Sequence, residues 1–200
     1  MINIGVLVSG GGTNLQSLID ACEYGILKGI AKIAVVISNR RDAFGLERAK
    51  MHDIPAVFID PGIFADNKAF CAKTTQELKK RNVELVCLAG FMRMIDPSFI
   101  KAFKSKMLNI HPALLPKFGG KGMYGHFVHE AVIKAGEKES GATVHWVDEN
   151  YDNGPIVLQK RVSVLTDDTP STLSKRVLEV EHEIYPEAVK MVIDRGDVRT

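Results

Sequence analysis

The sequence predicts an α/β protein: a doubly wound, mostly parallel sheet of Rossmann-like type, with a smaller mixed part towards the C-terminus. Three observations carry this. Short apolar runs alternate with helical patterns from Ile2 to Ile110. The run Leu85–Ala89 is apolar at every position, as a strand covered on both faces should be. The first apolar run ends in Ser9-Gly10-Gly11-Gly12 and leads straight into a helical pattern. Strands alternating with helices form parallel sheets, whose right-handed crossovers gather the post-strand loops along one ligand-binding edge.

Taken in order, Ile2–Val8 is the first strand and Asn14 to about Cys22 the first helix. Ile33–Ile37 is a strand, Ala43–His52 a helix, Pro55–Ile59 a strand, and Lys68–Arg81 a helix rich in Lys and Glu. Asp96-Pro97 reads as an N-cap with proline at the first helical position, opening a short helix to about Phe103. Met107–Ile110 is a strand that Pro112 stops. Beyond it, Pro116–Tyr124 is a glycine-dense loop, and Phe127–Ala135 is a helix with Gly136 just past its end. Ala142–Val147 and Ile156–Val164 are strands close enough to pair, and antiparallel pairing suits the short turn Asp152–Pro155 between them. Asp168-Thr169-Pro170 caps a long final helix, in which Pro186 is expected to cause a kink or break. We read one domain over 1-200, with a doubly wound half at 1-113 and a smaller mixed half at 114-200.

Composition narrows the function. The 200 residues are 46% hydrophobic and 25% charged, the profile of a soluble globular domain. A formal charge of +2 argues against a nucleic-acid partner bound through a basic face. Three cysteines without a C-x-x-C pair fit a reducing, cytoplasmic setting and no thiolate metal site. No apolar run approaches the ~18 residues of a membrane span, and the N-terminus lacks the basic start of a signal peptide.

The loop Ser9–Asn14 can hold a phosphate, because glycines let backbone amides approach an anion at a helix N-terminus. Its plain alternative is a tight turn with Asn14 as helix cap. It is no dinucleotide fingerprint: Leu15 stands where the third glycine should be, and Ser38-Asn39-Arg40 offers no acid at the tip of the second strand. It lacks the GK[ST] of a Walker loop as well.

Asn109-Ile110-His111-Pro112 carries the sharpest chemical signal. Alternate strand residues face the same way, so Asn109 and His111 share a side at the open edge. An amide donor beside an imidazole can stabilise an oxyanion and move a proton near neutral pH. Asp152 is a candidate partner that would fix the imidazole, although carboxylates in such turns often only cap the turn. In Thr143–Val147, His145 lies on the face opposite Ala142, Val144 and Trp146, which read as core. His126 and His129 read as surface residues of a helix, His52 as a surface helix end, Cys87 as inert packing, and Glu181-His182-Glu183 as a solvated face unless a ligand uses it.

Together SGGGTN, AFGLERA, LAGFMRMI, LNIHPALLPKF, GATVHWV, D-x-GPIVLQ and VEHEIYP resemble the phosphoribosylglycinamide formyltransferase family, of the folate-dependent formyltransferase superfamily, from Ile4 to about Tyr185. The resemblance implies transfer of a formyl group from 10-formyltetrahydrofolate to glycinamide ribonucleotide in purine biosynthesis, without metal. It assigns catalysis to Asn109, His111 and Asp152, with Asp152 expected to raise the His111 pKa. It assigns the nucleotide to Gly12, Thr13, Asn14 and Glu181. The folate falls to Met92, Arg93, Met94, Ile95, Asn109 and the stretch Asp148, Glu149, Asn150, Tyr151, Asp152. Asn67 stands where relatives often carry a basic contact for the folate tail, a role that adjacent Lys68 could fill, and the loop Gly119–Gly125 is longer than in some members. The implied partners are small molecules, with the chain a monomer or homodimer. The alternatives are a formyltetrahydrofolate hydrolase or methionyl-tRNA formyltransferase, for whose extra domains the chain has little room, and a non-catalytic nucleotide-binding module. A flavodoxin-like carrier is weaker, for want of aromatic loops.

Overall fold

The computed structural model describes Met1–Val198; Arg199 and Thr200, the end of the expected 1-200 domain, lie outside the described residues. The strands are β1 (Ile2–Val8), β2 (Ala31–Ser38), β3 (Ala56–Phe58), β4 (Leu85–Leu88), β5 (Met107–His111), β6 (Glu139–Trp146) and β7 (Ile156–Ser163). The helices are α1 (Thr13–Glu23), α2 (Phe44–Met51), α3 (Asn67–Lys79), α4 (Pro97–Ala102), α5 (His126–Lys134) and α6 (Pro170–Asp194). A 3₁₀ turn at Pro61–Ile63, capped by the Asp60 carboxylate, is the one element the sequence reading lacks.

These strands form one sheet in the order β3-β2-β1-β4-β5-β6-β7. Pairing is parallel from β3 through β5 and antiparallel for β5–β6 and β6–β7. The chain leaves β1 towards β2 and β3, then returns to lay β4 on the other side of β1. Such a switch point opens a crevice beyond the carboxyl ends of the two strands, because their crossovers diverge to opposite faces.

The two faces are unequal. On the thicker one, Ile4, Val6, Cys87, Leu108, Ile110 and Val144 pack with apolar residues of α1, α2, α5 and α6. On the thinner one, Leu7, Val86, Leu88 and Met107 meet Phe70 and Leu78 of α3 and Phe99 of α4. Strand alternation therefore sends Ile110 into the thick core. It brings Asn109 and His111 out on the same face as Met107, beyond the reach of the short α4.

Of the kink or break expected at Pro186, the break does not occur. α6 runs through it from Pro170 to Asp194. Proline removes one intrahelical hydrogen bond. Burial offsets that loss: Val177, Ile184, Tyr185, Ala188, Val189 and Val192 form one fully buried stripe on both sides of the proline. The Tyr185 hydroxyl also reaches the carbonyls of Leu88 at 2.9 Å and Leu108 at 3.2 Å, anchoring α6 to β4 and β5.

Candidate active site

The glycine loop closes one end of the crevice. Gly12, not Asn14, is the residue at the N-cap of α1, in the left-handed conformation at φ 69°. A Cβ at Gly12 would stand 2.7 Å from the Gly45 Cα, so glycine is required by space as well as by φ. Asn14 is turned inward and donates to the Glu181 carboxylate at 2.5 Å, while its own Oδ1 is buried without a partner. Glu181 thus lies beneath the loop rather than on a solvated face. Burial pushes its carboxyl up to about 7, against the pull of the Asn14 amide.

A second cluster occupies the ends of β5 and β6. The sheet register sets Asn109 directly opposite His145 and His111 opposite Thr143. The Asn109 amide donates to His145 Nε2 at 3.1 Å and, at 3.4 Å, to Asp152 Oδ1. The His145 Nδ1 lies 2.9 Å from the Trp146 carbonyl, which can only accept, so the proton belongs on Nδ1 and Nε2 is the acceptor. The same logic puts a proton on His111 Nε2, 2.8 Å from the Phe118 carbonyl. His111 Nδ1 is then the nitrogen left to exchange a proton, and it faces Asp152 Oδ2 at 3.6 Å.

Asp152 is no mere turn cap. It adopts φ 51° and accepts from the Gly120 amide at 3.0 Å, joining the 116–124 loop to the site. Burial pushes its carboxyl up, but His145, His111 and the Gly120 amide together outweigh this and hold it below the usual value. For His111 the balance falls the other way. Burial lowers its pKa by more than the Asp152 charge and the Phe118 carbonyl raise it, so the net shift is down. Asp152 acts in the expected direction, yet the expected net rise does not occur.

The loop after β4 forms the opposite rim. Met92 and Met94 are 58% and 56% exposed, with Ile95 half-buried beside them. The Arg93 guanidinium stacks over Phe70 and donates to Asn67 Oδ1 at 2.8 Å, and Asn67 donates in turn to the Met94 carbonyl at 3.0 Å. Asn67 therefore braces this rim, while Lys68 points to solvent. Glu149, Asn150 and Tyr151 are exposed on the 148–152 stretch, whose Asp148 accepts from the Asn150 amide. Ser9 spans the switch point: its hydroxyl accepts from the Met92 amide at 2.8 Å and donates to Asn39 at 2.6 Å.

The sequence-derived residues thus gather into three neighbouring groups. His145 was not singled out as functional, although the Thr143–Val147 alternation already put it on the polar side. His129 is buried rather than on the surface, and burial drives its pKa down to about 4. Cys87 is fully buried as expected, its thiol pushed up to about 12. Among the described residues no group of three or more His, Cys, Asp or Glu is placed to hold a metal, and no helix is long and apolar enough to cross a membrane.

A switch-point crevice with a cradle of backbone amides at one rim and an amide–imidazole–carboxylate cluster beside it has the parts of a group-transfer enzyme of acyl type. Comparison with known proteins specifies the group. The formyl transferase family matches residues 2–189. A phosphoribosylglycinamide formyltransferase from Haemophilus influenzae is 44% identical over 191 residues, 95% of this chain and 86% of that protein. The crystal structure of glycinamide ribonucleotide transformylase 1 from Symbiobacterium toebii superposes with a TM-score of 0.92 at 44% identity, covering 97% of this chain and 88% of that one. A trifunctional purine biosynthetic protein from Chironomus tentans is 43% identical over 189 residues, of which the chain spans only 13%. The chain belongs to the formyl transferase family, in its phosphoribosylglycinamide formyltransferase branch.

Proposed function

We propose that the protein transfers the formyl group of 10-formyltetrahydrofolate to the amine of glycinamide ribonucleotide, giving the N-formyl nucleotide and tetrahydrofolate. The observation that carries this reading is the convergence of Asn109, His111 and Asp152 at the carboxyl end of β5, on the same edge of the sheet as the glycine loop after β1. The residues present suit a folate, since the exposed methionines and Ile95 offer a flat ring an apolar rim on the loop after β4, the strand that pairs with β5. When bound, the folate supplies an activated formyl carbon and a leaving nitrogen.

Asn109 holds the formyl oxygen, giving up its longer contact to Asp152 and keeping the shorter one to His145. The donor is then aimed before charge develops, which is worth about 3 kcal/mol in the barrier. His111, largely neutral in the free protein, takes the amine's proton on Nδ1 and passes it to the leaving nitrogen, so one proton moves and none is lost. Asp152 faces that nitrogen and stabilises the imidazolium while it exists. Gly12, Thr13 and Asn14 take the nucleotide phosphate and Glu181 its ribose. Met92, Arg93, Met94, Ile95 and the 148–152 stretch take the pterin, with Asn67 shaping their rim. We read 1-200 as one such domain, acting in the cytoplasm as a monomer or homodimer.

The test is a spectroscopic assay of 10-formyltetrahydrofolate consumption with and without glycinamide ribonucleotide. Consumption that requires the nucleotide supports transfer. Consumption without it makes the protein a hydrolase, and no reaction removes the assignment.

A further inference from the structure

The glycine loop does not hold its shape alone. The Gly10 carbonyl accepts from the Gly45 amide of α2 at 3.0 Å, and the Gly11 carbonyl accepts from Arg48 Nε at 2.8 Å. In a trans peptide the carbonyl and the following N–H point in opposite directions. With both carbonyls tied down to α2, the N–H groups of Gly11 and Gly12 must point away from it. Neither donates to any acceptor among the described residues. Space beside Gly10 and Gly11 is open, since a Cβ at either would meet nothing within 4 Å. Successive outward amides around a left-handed residue form an anion nest, here continued by the free N–H groups of the first turn of α1.

Arg48 is itself fixed on three sides. It donates to Gly11, it donates through Nη1 to the Gln16 side chain at 3.1 Å, and its guanidinium lies 5.0 Å from the centre of the Phe44 ring. Such a fork needs two acceptors at set angles, which lysine cannot serve at once. We propose that Arg48 is a positioning residue for the substrate's phosphate: it rotates the Gly11–Gly12 peptide so that the loop amides face the anion. This rests on the reading above that the loop takes the nucleotide phosphate.

Arg48→Met keeps the stem and removes the donors. The KM for glycinamide ribonucleotide should rise about tenfold, the worth of one hydrogen bond to a charged group, with kcat and the folate KM within about twofold. Arg48→Lys should recover part of the loss. Inorganic phosphate, as a competitive inhibitor, should weaken in the same proportion as the nucleotide. An unchanged nucleotide KM overturns the proposal, as does an equal fall in every kinetic parameter together with the Tm. Should Arg48→Met fail to fold, Arg48→Lys decides by the same ratio of nucleotide to folate effects. If the wild type transfers no formyl group, the functional reading fails, and phosphorus NMR of inorganic phosphate binding to wild type and Arg48→Lys judges the clamp separately.

Discussion

Asp152 and Glu181 are both carboxylates withdrawn from water at the same crevice, yet one is held below its ordinary pKa and the other is driven up to about 7. Burial acts upward on both. What separates them is the company each keeps. Two imidazole rings and the Gly120 amide surround Asp152, whereas among the described residues Glu181 has the Asn14 amide alone. Withdrawal from solvent sets only the cost of a charge, and the number of groups turned towards it decides whether that cost is met. A carboxylate kept ionised suits a group that must face an imidazolium. One that titrates near neutrality suits a group that exchanges hydrogen bonds with a polar ligand.

The largest effect that would break this contrast is catalytic. His111→Ala should lower kcat about a thousandfold, and Asp152→Asn about a hundredfold, while the nucleotide KM moves little in either. Glu181→Gln should do the reverse, raising the nucleotide KM several-fold with kcat nearly kept. Equal losses of kcat and binding in Asp152→Asn would make that carboxylate structural.

The next effect is on stability against pH. The Glu181 carboxyl rises from 4.5 to about 7 on folding, so between those values the unfolded chain has lost a proton that the folded one retains. Stability from this group is therefore full below 4.5 and declines as pH rises towards 7. Asp152 lies below its ordinary 3.8 when folded, so its contribution is present above 3.8 and is lost as pH falls through the lower value. Denaturant titrations across pH should show that Glu181→Gln removes the decline between 4.5 and 7, and that Asp152→Asn lessens the loss in acid. Identical pH profiles for both variants would remove the distinction.

The smallest effect concerns the methionine rim. Asn67→Ala removes two hydrogen bonds that brace Arg93 and Met94, and should raise the folate KM about fivefold without changing the nucleotide KM. Steady-state kinetics with each substrate varied in turn would detect it, and a change confined to the nucleotide would contradict the placement of this rim.

Much of the fold was legible because its signals are local. The apolar run Leu85–Ala89 and the glycines after Val8 each declare one element. Asn109 and His111 followed from strand alternation alone. The role of His145 required the β5–β6 register, a pairing that no stretch of sequence states. His129 looked exposed because i,i+3 spacing does not say which side of a helix meets the core. A break at Pro186 is suggested because the sequence shows the lost hydrogen bond, while the buried stripe that outweighs it depends on what α6 packs against. The direction of the His111 shift was misjudged for a related reason: the neighbouring charge could be guessed, but the depth of burial could not.

Ser9 touches both rims, and this has a thermodynamic result. Its hydroxyl takes the Met92 amide from one loop, while its own backbone opens the glycine turn of the other. Neither loop can be ordered without narrowing the freedom of its neighbour. The first ligand to arrive is therefore expected to bear part of the entropy that the second would otherwise lose. Linkage makes any such advantage the same factor whichever ligand comes first, so binding titrations of each substrate with and without the other are expected to show one coupling factor, reduced in Ser9→Ala.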